Sequence, residues 1–188
     1  MLIIFGLALL VLTIGMVVLF AMFGELSSRV AQAPLQARST EIVPLENVNL
    51  GHIAETWPAA LPGDADGRAV LLVLSTTCAA CRDIAEQLRD NSVYARWSGM
   101  AIVISTAYHS SGADFVNRYG LDRYTYYIDT GGSWLTGEFG VQFSPCTLVV
   151  NGRQLVAAYI FYDLSALQAR LGQLEAEGAQ QQRHTEVV

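Results

Sequence analysis

The chain has 188 residues, enough for one domain of ordinary size and a tether, and too few for two full domains. Its formal net charge of -6, with no visible cluster of Lys and Arg, argues against nucleic-acid binding, because phosphate contacts need concentrated positive charge. Three cysteines are too few for a disulfide scaffold, whereas 52% of the residues are hydrophobic and only 15% are charged.

The first predicted element is an apolar helix at the N-terminus. No charged side chain occurs from Leu2 to Phe23, and at about 1.5 Å per residue this run is roughly 33 Å long, enough to cross a bilayer core. We predict a transmembrane signal-anchor over residues 2–24. A cleaved signal peptide is the alternative, because Ala31-Gln32-Ala33 offers a cleavage pattern. The run is long for that role, no basic residue precedes it, and Pro34 follows the cut.

The charges that flank this anchor leave its orientation open. Arg29 and Arg38 follow it, and the positive-inside rule alone would place the C-terminal domain in the cytoplasm. Glu25 offsets part of that charge, and large domains can cross membranes regardless of it.

Residues 25–62 are predicted to form a juxtamembrane stalk that leads into the domain. Prolines interrupt any long helix there, at Pro34, Pro44, Pro58 and Pro62. Short strands are expected at Glu41–Val43 or Val48–Ile53.

The domain itself is predicted over residues 63–177. After a turn-rich stretch at 63–67, the run Ala69–Ser75 is continuously apolar and β-favouring, as a central strand buried on both faces should be. A helix follows from about Cys78 to Arg89, with Thr76 or Thr77 as its N-cap. The sequence therefore predicts a buried strand that leads into a helix through a short turn.

The remainder of the domain is predicted to alternate between strands and helices. A strand at Met100–Ser105, a polar loop at Tyr108–Gly112 and a helix at Ala113–Tyr119 indicate a βαβ unit. The later elements are a strand at Thr125–Asp129, a helix at Ser133–Phe139, a hairpin with a type I′ turn at Asn151-Gly152, and a helix from near Leu164. Residues 178–188 are predicted to be a disordered polar tail.

The motif Cys78-Ala79-Ala80-Cys81 lies where the buried strand ends and the helix begins. Unpaired N–H groups and partial positive charge at a helix N-terminus favour a thiolate. Cys78, nearer the solvent end, is the predicted nucleophile, and Cys81, one turn further in, would resolve the mixed disulfide. Arg82 adds positive charge beside the pair. The motif predicts a redox-active centre for thiol–disulfide exchange, without a cofactor.

An inert disulfide and half of a metal site are the alternatives for this pair. A disulfide that spans four residues is not needed to hold the start of a helix, and a zinc or copper site needs further ligands. The sequence does not bring together the other candidate ligands, Cys146, His52, His109 and His184. No metal site is therefore predicted.

Cys146 directly follows Pro145 and is a candidate third redox thiol. It also opens an apolar strand, and free cysteine commonly acts as a small buried hydrophobe, so a packing role is favoured. Packing is likewise the expected role of the tryptophans, Trp57, Trp97 and Trp134. His109 is expected to be a solvated loop histidine.

From about Ala69 to Glu175 the chain resembles the thioredoxin superfamily. Phe143-Ser144-Pro145, just before the hairpin, is similar to that family's cis-proline loop. In such proteins the loop lies beside the Cys-x-x-Cys, and the backbone of the residue before the proline, here Ser144, pairs with the incoming peptide. The resemblance implies an α/β thioredoxin-like fold with a central mixed β-sheet flanked by helices. It also implies that Thr77, Ser144 and Pro145 contact the substrate.

The anchor and stalk, Gly140-Val141 and the run Leu74–Arg82 look closest to membrane-anchored thiol–disulfide oxidoreductases of the MauD and TlpA type. That resemblance implies a domain on the outer side of the membrane. Two departures stand out. Thr77 occupies the position of a tryptophan in thioredoxin, and Ala69–Leu74 contains no acidic residue to act as a buried proton acceptor.

Two functions are consistent with these features. The first is a membrane-anchored thiol–disulfide oxidoreductase that acts on cysteines of extracytoplasmic or membrane proteins and is recharged by a membrane redox partner. The second is a non-catalytic accessory or assembly subunit of a multi-subunit membrane complex, because fold does not fix function.

Overall fold

A computed structural model describes residues 41–62, 67–90 and 99–185, with side chains as far as residue 174, together with Gly6 and Met16. The chain divides into two compact units, 1–38 and 39–188. The predicted anchor over residues 2–24 lies outside the described residues except for Gly6 and Met16, which are both helical. The predicted stalk before residue 41 and Trp97 also lie outside the described residues. No helix among the described residues is both long enough and apolar enough to cross a membrane.

Within the described part of 39–188, six strands form one mixed sheet. In spatial order they are β1-β6-β5-β2-β3-β4. Strands β2, β3 and β4 are parallel, whereas β5 is antiparallel to β2, and β6 is antiparallel to both β5 and β1. The strands are β1 (Val43–Pro44), β2 (Arg68–Ser75), β3 (Met100–Thr106), β4 (Thr125–Thr130), β5 (Cys146–Asn151) and β6 (Gln154–Ile160).

Helices cover both faces of this sheet. Helices α1, α2 and α4 pack on one face, and α3 packs on the other together with residues of the segment 45–61. Strand β2 supplies Leu72 and Leu74 to the first core and Leu71 and Val73 to the second, which confirms the predicted strand buried on both faces. The helices are α1 (Ala79–Asp90), α2 (His109–Tyr119), α3 (Ser133–Phe139) and α4 (Leu164–Thr185), with a 3-10 turn at Leu121–Arg123.

Residues 109–112 of the polar stretch predicted as a loop belong to α2, so that prediction was wrong for all but Tyr108, which precedes the helix as its N-cap. Helix α2 begins at His109, which is exposed in its first turn rather than in a loop. A Cβ added at Gly112 would lie 2.6 Å from Ile128 Cγ2 in β4. Gly112 is therefore required for close packing of a helix on a strand, and it does not mark a turn.

The C-terminal part of the domain also departs from expectation. Helix α4 continues to Thr185, although disorder was expected beyond Gly178, and the Ala, Gln and Arg residues of that stretch all favour helix. The predicted hairpin is confirmed, but Asn151 pairs with Gln154, so the central turn residues are Gly152 and Arg153. Only Gly152 of these two has a positive φ, +58°, which excludes the expected type I′ turn.

A buried carboxylate holds the segment 52–56 against α3. The backbone N–H groups of Glu55 and Thr56 donate to Glu138 at 2.8 and 2.9 Å, and the Thr56 hydroxyl donates to it as well. His52 Nε2 lies 3.4 Å from the same carboxylate. These bonds, led by that of the Thr56 hydroxyl, lower the pKa of Glu138 to about 2, although its burial acts in the opposite direction.

An aromatic cluster surrounds this contact. The Trp57 and Trp134 rings meet edge to face with centroids 5.5 Å apart, and Trp134 Nε1 donates to the Thr56 carbonyl at 2.9 Å. Phe139 packs against both rings. The predicted packing role of Trp57 and Trp134 is confirmed, and the cluster fixes α3 immediately before the loop that contains Pro145.

Glu138→Gln should lower the free energy of unfolding by about 2 kcal/mol at pH 7, because a neutral amide loses charge-assisted hydrogen bonds. The folded carboxyl has a pKa of about 2 against an ordinary value of 4.5. Its stabilising contribution is therefore complete above about pH 4.5 and disappears as the pH falls through about 2. Urea unfolding followed by tryptophan fluorescence at pH 7 and pH 2.5 measures the difference between wild type and variant.

The matched control is Glu86→Gln on the exposed face of α1, which should change the free energy of unfolding by less than about 0.5 kcal/mol. A difference between wild type and Glu138→Gln that is the same at both pH values would contradict this role of the carboxylate.

Candidate active site

Cys78 forms the N-terminal cap of α1. The Cys78 N–H donates to the Ser75 carbonyl at 3.3 Å, which closes the turn after β2. The Cys78 sulfur accepts a hydrogen bond from the Cys81 N–H at 3.2 Å, and the Arg82 N–H donates to the Cys78 carbonyl at 3.3 Å. The sulfur thus satisfies an N–H group of the first helical turn and lies at the positive end of the helix dipole.

Neither threonine caps α1, so that prediction was wrong. Thr76 Oγ1 donates to Thr106 Oγ1 at 3.2 Å and ties the turn to the end of β3. Thr77 Oγ1 lies 3.1 Å from Ser75 Oγ, and the Thr77 side chain is exposed. Helix α1 begins at Ala79, one residue after the predicted start, because the capping atom belongs to Cys78.

The loop before β5 lies against Cys78. The Ser144–Pro145 peptide bond is cis, and Cys78 Sγ lies 3.5 Å from the Ser144 carbonyl oxygen, so both predictions for this loop are confirmed. The sheet explains the contact. Strand β5 is antiparallel to β2, and Cys146 pairs with Val73, so β5 begins beside the end of β2. Pro145 is buried and Ser144 is half-buried at this junction.

The three cysteines are free thiols in different surroundings. Cys78 is half-buried, whereas Cys81 and Cys146 are fully buried. Burial raises the pKa of Cys81 to about 12, and the neighbouring Cys78 adds to the effect. Burial also raises the pKa of Cys146, whose Sγ donates to the Phe143 carbonyl at 3.1 Å. Cys146 lies in the core, as the packing role expects.

The structural roles of two buried acidic residues, Asp129 and Glu138, were not predicted from the sequence. Asp129, at the end of β4, accepts hydrogen bonds from the N–H groups of Trp134 and Leu135 at 3.1 and 3.0 Å. An aspartate shortly before a helix is a recognisable capping signal, and it could have been found. Glu138 offers no such signal, because its partners lie more than 80 residues away in the chain.

The candidate metal ligands remain apart. His52 bonds to Glu138, and His109 is exposed at the start of α2. The side chain of His184 lies outside the described residues. In the described parts of the chain, no group of three or more His, Cys, Asp or Glu residues is placed to hold a metal ion.

The chain is similar to known proteins in its structure rather than in its sequence. No protein-family model matches the chain, and no curated protein matches its sequence. A Chlorobium tepidum protein assigned as the thiol:disulfide interchange protein DsbE is similar, with a TM-score of 0.51 and 16% identity. The match covers 68% of this chain and 96% of that one.

Two further solved structures agree. A domain from Cytophaga hutchinsonii assigned as a thiol-disulfide isomerase gives a TM-score of 0.51 at 15% identity, over 73% of this chain and 98% of that one. A Bacteroides thetaiotaomicron protein assigned as a protein disulfide isomerase gives 0.50 at 11% identity, over 71% and 92%. At these identities the likeness concerns the fold. Together with the mixed sheet and the cis-proline loop beside Cys78, it shows that the domain has the thioredoxin-like fold.

Proposed function

We propose that the chain is a membrane-anchored thiol–disulfide oxidoreductase that acts on the cysteines of extracytoplasmic or membrane proteins. The position of the Cys78 sulfur carries this proposal. It lies 3.2 Å from the Cys81 nitrogen and 3.5 Å from the Ser144 carbonyl oxygen, and Cys78 is half-buried whereas the other two cysteines are buried. An attacking thiol needs access, a donor for its charge and a surface that positions the partner.

The first chemical step uses Cys78 alone. Its thiolate attacks one sulfur of a partner's disulfide, a Cys78–partner S–S bond forms, and the partner's own S–S bond breaks. The second partner sulfur leaves as a thiolate and takes a proton from water. Before the attack, the Cys81 N–H and the positive end of α1 stabilise the charge on Cys78.

The second step uses Cys81. Its thiolate attacks the Cys78 sulfur, the Cys78–Cys81 disulfide forms, and the partner leaves as a thiolate, having gained two electrons. Cys81 must first lose a proton to water, and because burial raises its pKa to about 12, we expect this step to be slow. A dithiol of a membrane redox partner would then re-reduce the chain. The same steps in reverse oxidise a partner's dithiol.

The cis-proline loop and the turn before Cys78 would position the partner. Ser144 is half-buried, so an extended segment of the partner would reach its backbone and pair with it, whereas Pro145 is buried. The exposed Thr77 flanks Cys78 on the other side. We assign these three residues to substrate binding.

Cys81→Ser should stop the exchange after its first step. With a disulfide-bonded peptide dimer as probe, the reduced full-length variant should accumulate a peptide adduct on Cys78, seen by intact mass and removed by dithiothreitol. The wild type should pass on to the Cys78–Cys81 disulfide. The matched control Cys78→Ser/Cys81→Ser, which keeps Cys146, should form no adduct. Failure of the wild-type protein to exchange would favour the non-catalytic accessory role instead.

The anchor and its orientation are part of the same proposal: the uncharged run Leu2–Phe23 supports the anchor, and the resemblance to the MauD and TlpA type supports the orientation. A membrane-impermeant maleimide applied to intact, mildly reduced cells should label the protein at Cys78, with the label lost in the Cys78→Ser control. Labelling that requires cell lysis would reverse the orientation. Recovery of the chain in the soluble fraction would contradict the anchor.

A further inference from the structure

A cavity of about 230 Å³ opens beside the cis-proline loop. Residues at the ends of three parallel strands, a helix and the loop enclose it, including Ser75, Ser105, Gly131, Leu135 and Ser144. It is smaller than the clefts of about 300–1,000 Å³ that hold drug-sized ligands. Its size therefore suits one amino-acid side chain rather than a cofactor.

Two of these residues link the cavity to Cys78. The Ser75 carbonyl accepts the Cys78 N–H at 3.3 Å, and the Ser144 carbonyl lies 3.5 Å from the Cys78 sulfur. With Ser144 and Pro145 as substrate contacts, a polypeptide whose cysteine reaches Cys78 would lie along this loop. The side chain of a residue next to that cysteine would then lie over the cavity.

The chemistry of the walls limits which side chain can enter. Among the described residues, none that lines the cavity is charged. Val73, Leu135 and Val141 are buried apolar residues of the wall, and Ser75 and Ser105 add hydroxyl groups. A charged side chain would lose water there without gaining a counter-charge, whereas an uncharged one would bury apolar surface.

Small residues keep the cavity open. Gly131 and Gly132 carry the chain from β4 into α3 with positive φ angles of +75° and +65°, a conformation that larger residues rarely adopt. A Cβ at Gly132 would approach Ser105 Oγ to 3.2 Å. At this point the wall therefore consists of backbone.

We infer that this cavity binds one uncharged side chain adjacent to the reacting cysteine of a partner protein and so selects among partners. The inference rests on the proposed thiol–disulfide exchange, because the cavity is useful only if a partner's cysteine reaches Cys78.

Peptides with one cysteine, activated as the mixed disulfide with 5-thio-2-nitrobenzoate, test this selection. The residues that flank the cysteine are varied among Leu, Gln, Asp and Lys. Attack by reduced wild-type protein on the peptide sulfur releases the coloured thiolate, and mass spectrometry of the Cys81→Ser variant, which keeps the peptide adduct, confirms that the peptide sulfur is the one attacked. Leu and Gln peptides should react about tenfold faster than both Asp and Lys peptides. Slow reaction with both signs of charge separates the cavity from the effect of the net charge of -6.

Ser105→Leu should fill the cavity and remove the preference for Leu and Gln. Thr136→Phe, at an exposed position of the lining, should close the cavity from outside and gives a second variant that leaves the buried side chains of the wall unchanged. The matched control Ser110→Leu, exposed on α2 and outside the lining, should keep the wild-type preference.

The outcomes separate the two proposals. Wild-type protein that reacts with none of the peptides would contradict the proposed function. Reaction with all of them at equal rates would leave the function standing and overturn the inference. A preference that survives in both cavity variants would also overturn it.

Discussion

The hydrogen bond from the Cys81 N–H to the Cys78 sulfur is the contact on which the proposed chemistry depends. It exists because β2, buried on both faces, ends at Ser75 and the chain turns directly into α1. The turn places one cysteine at the cap and the other a full helical turn deeper in the core. One short motif thereby produces an accessible thiol beside N–H donors and a buried thiol whose pKa is raised to about 12.

The second half of the site is held by contacts on the opposite face of the sheet. Asp129 caps α3, and Glu138 fastens α3 to the segment 55–56. Helix α3 ends at Gly140, whose φ of +71° turns the chain toward Pro145. The position of the Ser144 carbonyl beside Cys78 therefore depends on a charged group buried away from the cysteines. Stability and site geometry are coupled through α3.

Local sequence patterns, each a few residues long, predicted most of the strands of the sheet and one of its helices. The continuous apolar runs of β2 and β3, the helix before Gly140 and the hairpin around Gly152 all lie within two or three residues of their expected positions. The juxtaposition of Cys78 and Pro145 was expected from the resemblance to the thioredoxin superfamily, in whose fold β5 begins where β2 ends. The resemblance to thioredoxin supplied that topology, which periodicity alone does not contain.

Features that depend on distant partners were not predictable in this way. In the sequence Glu138 is an ordinary carboxylate of a predicted helix, and only the folded structure brings residues 52–56 against it. The local sequence predicts a loop at Gly112, whereas in the structure Gly112 lies where its helix packs on Ile128. The cavity beside Ser144 is formed by five separate parts of the chain and has no local signature.

The central claim is that Cys78, and neither of the two buried thiols, attacks the partner. Alkylation by iodoacetamide in three single-cysteine variants tests it most directly. Burial raises the pKa of the Cys81 thiol well above its ordinary value, and this burial remains in the variant that keeps only Cys81, so little Cys81 thiolate is expected at pH 7. Cys78 should react fastest at pH 7, by at least about tenfold, and the rate of Cys81 should still be rising at pH 10. Alkylation of Cys81 or Cys146 at pH 7 as fast as that of Cys78 would contradict the account.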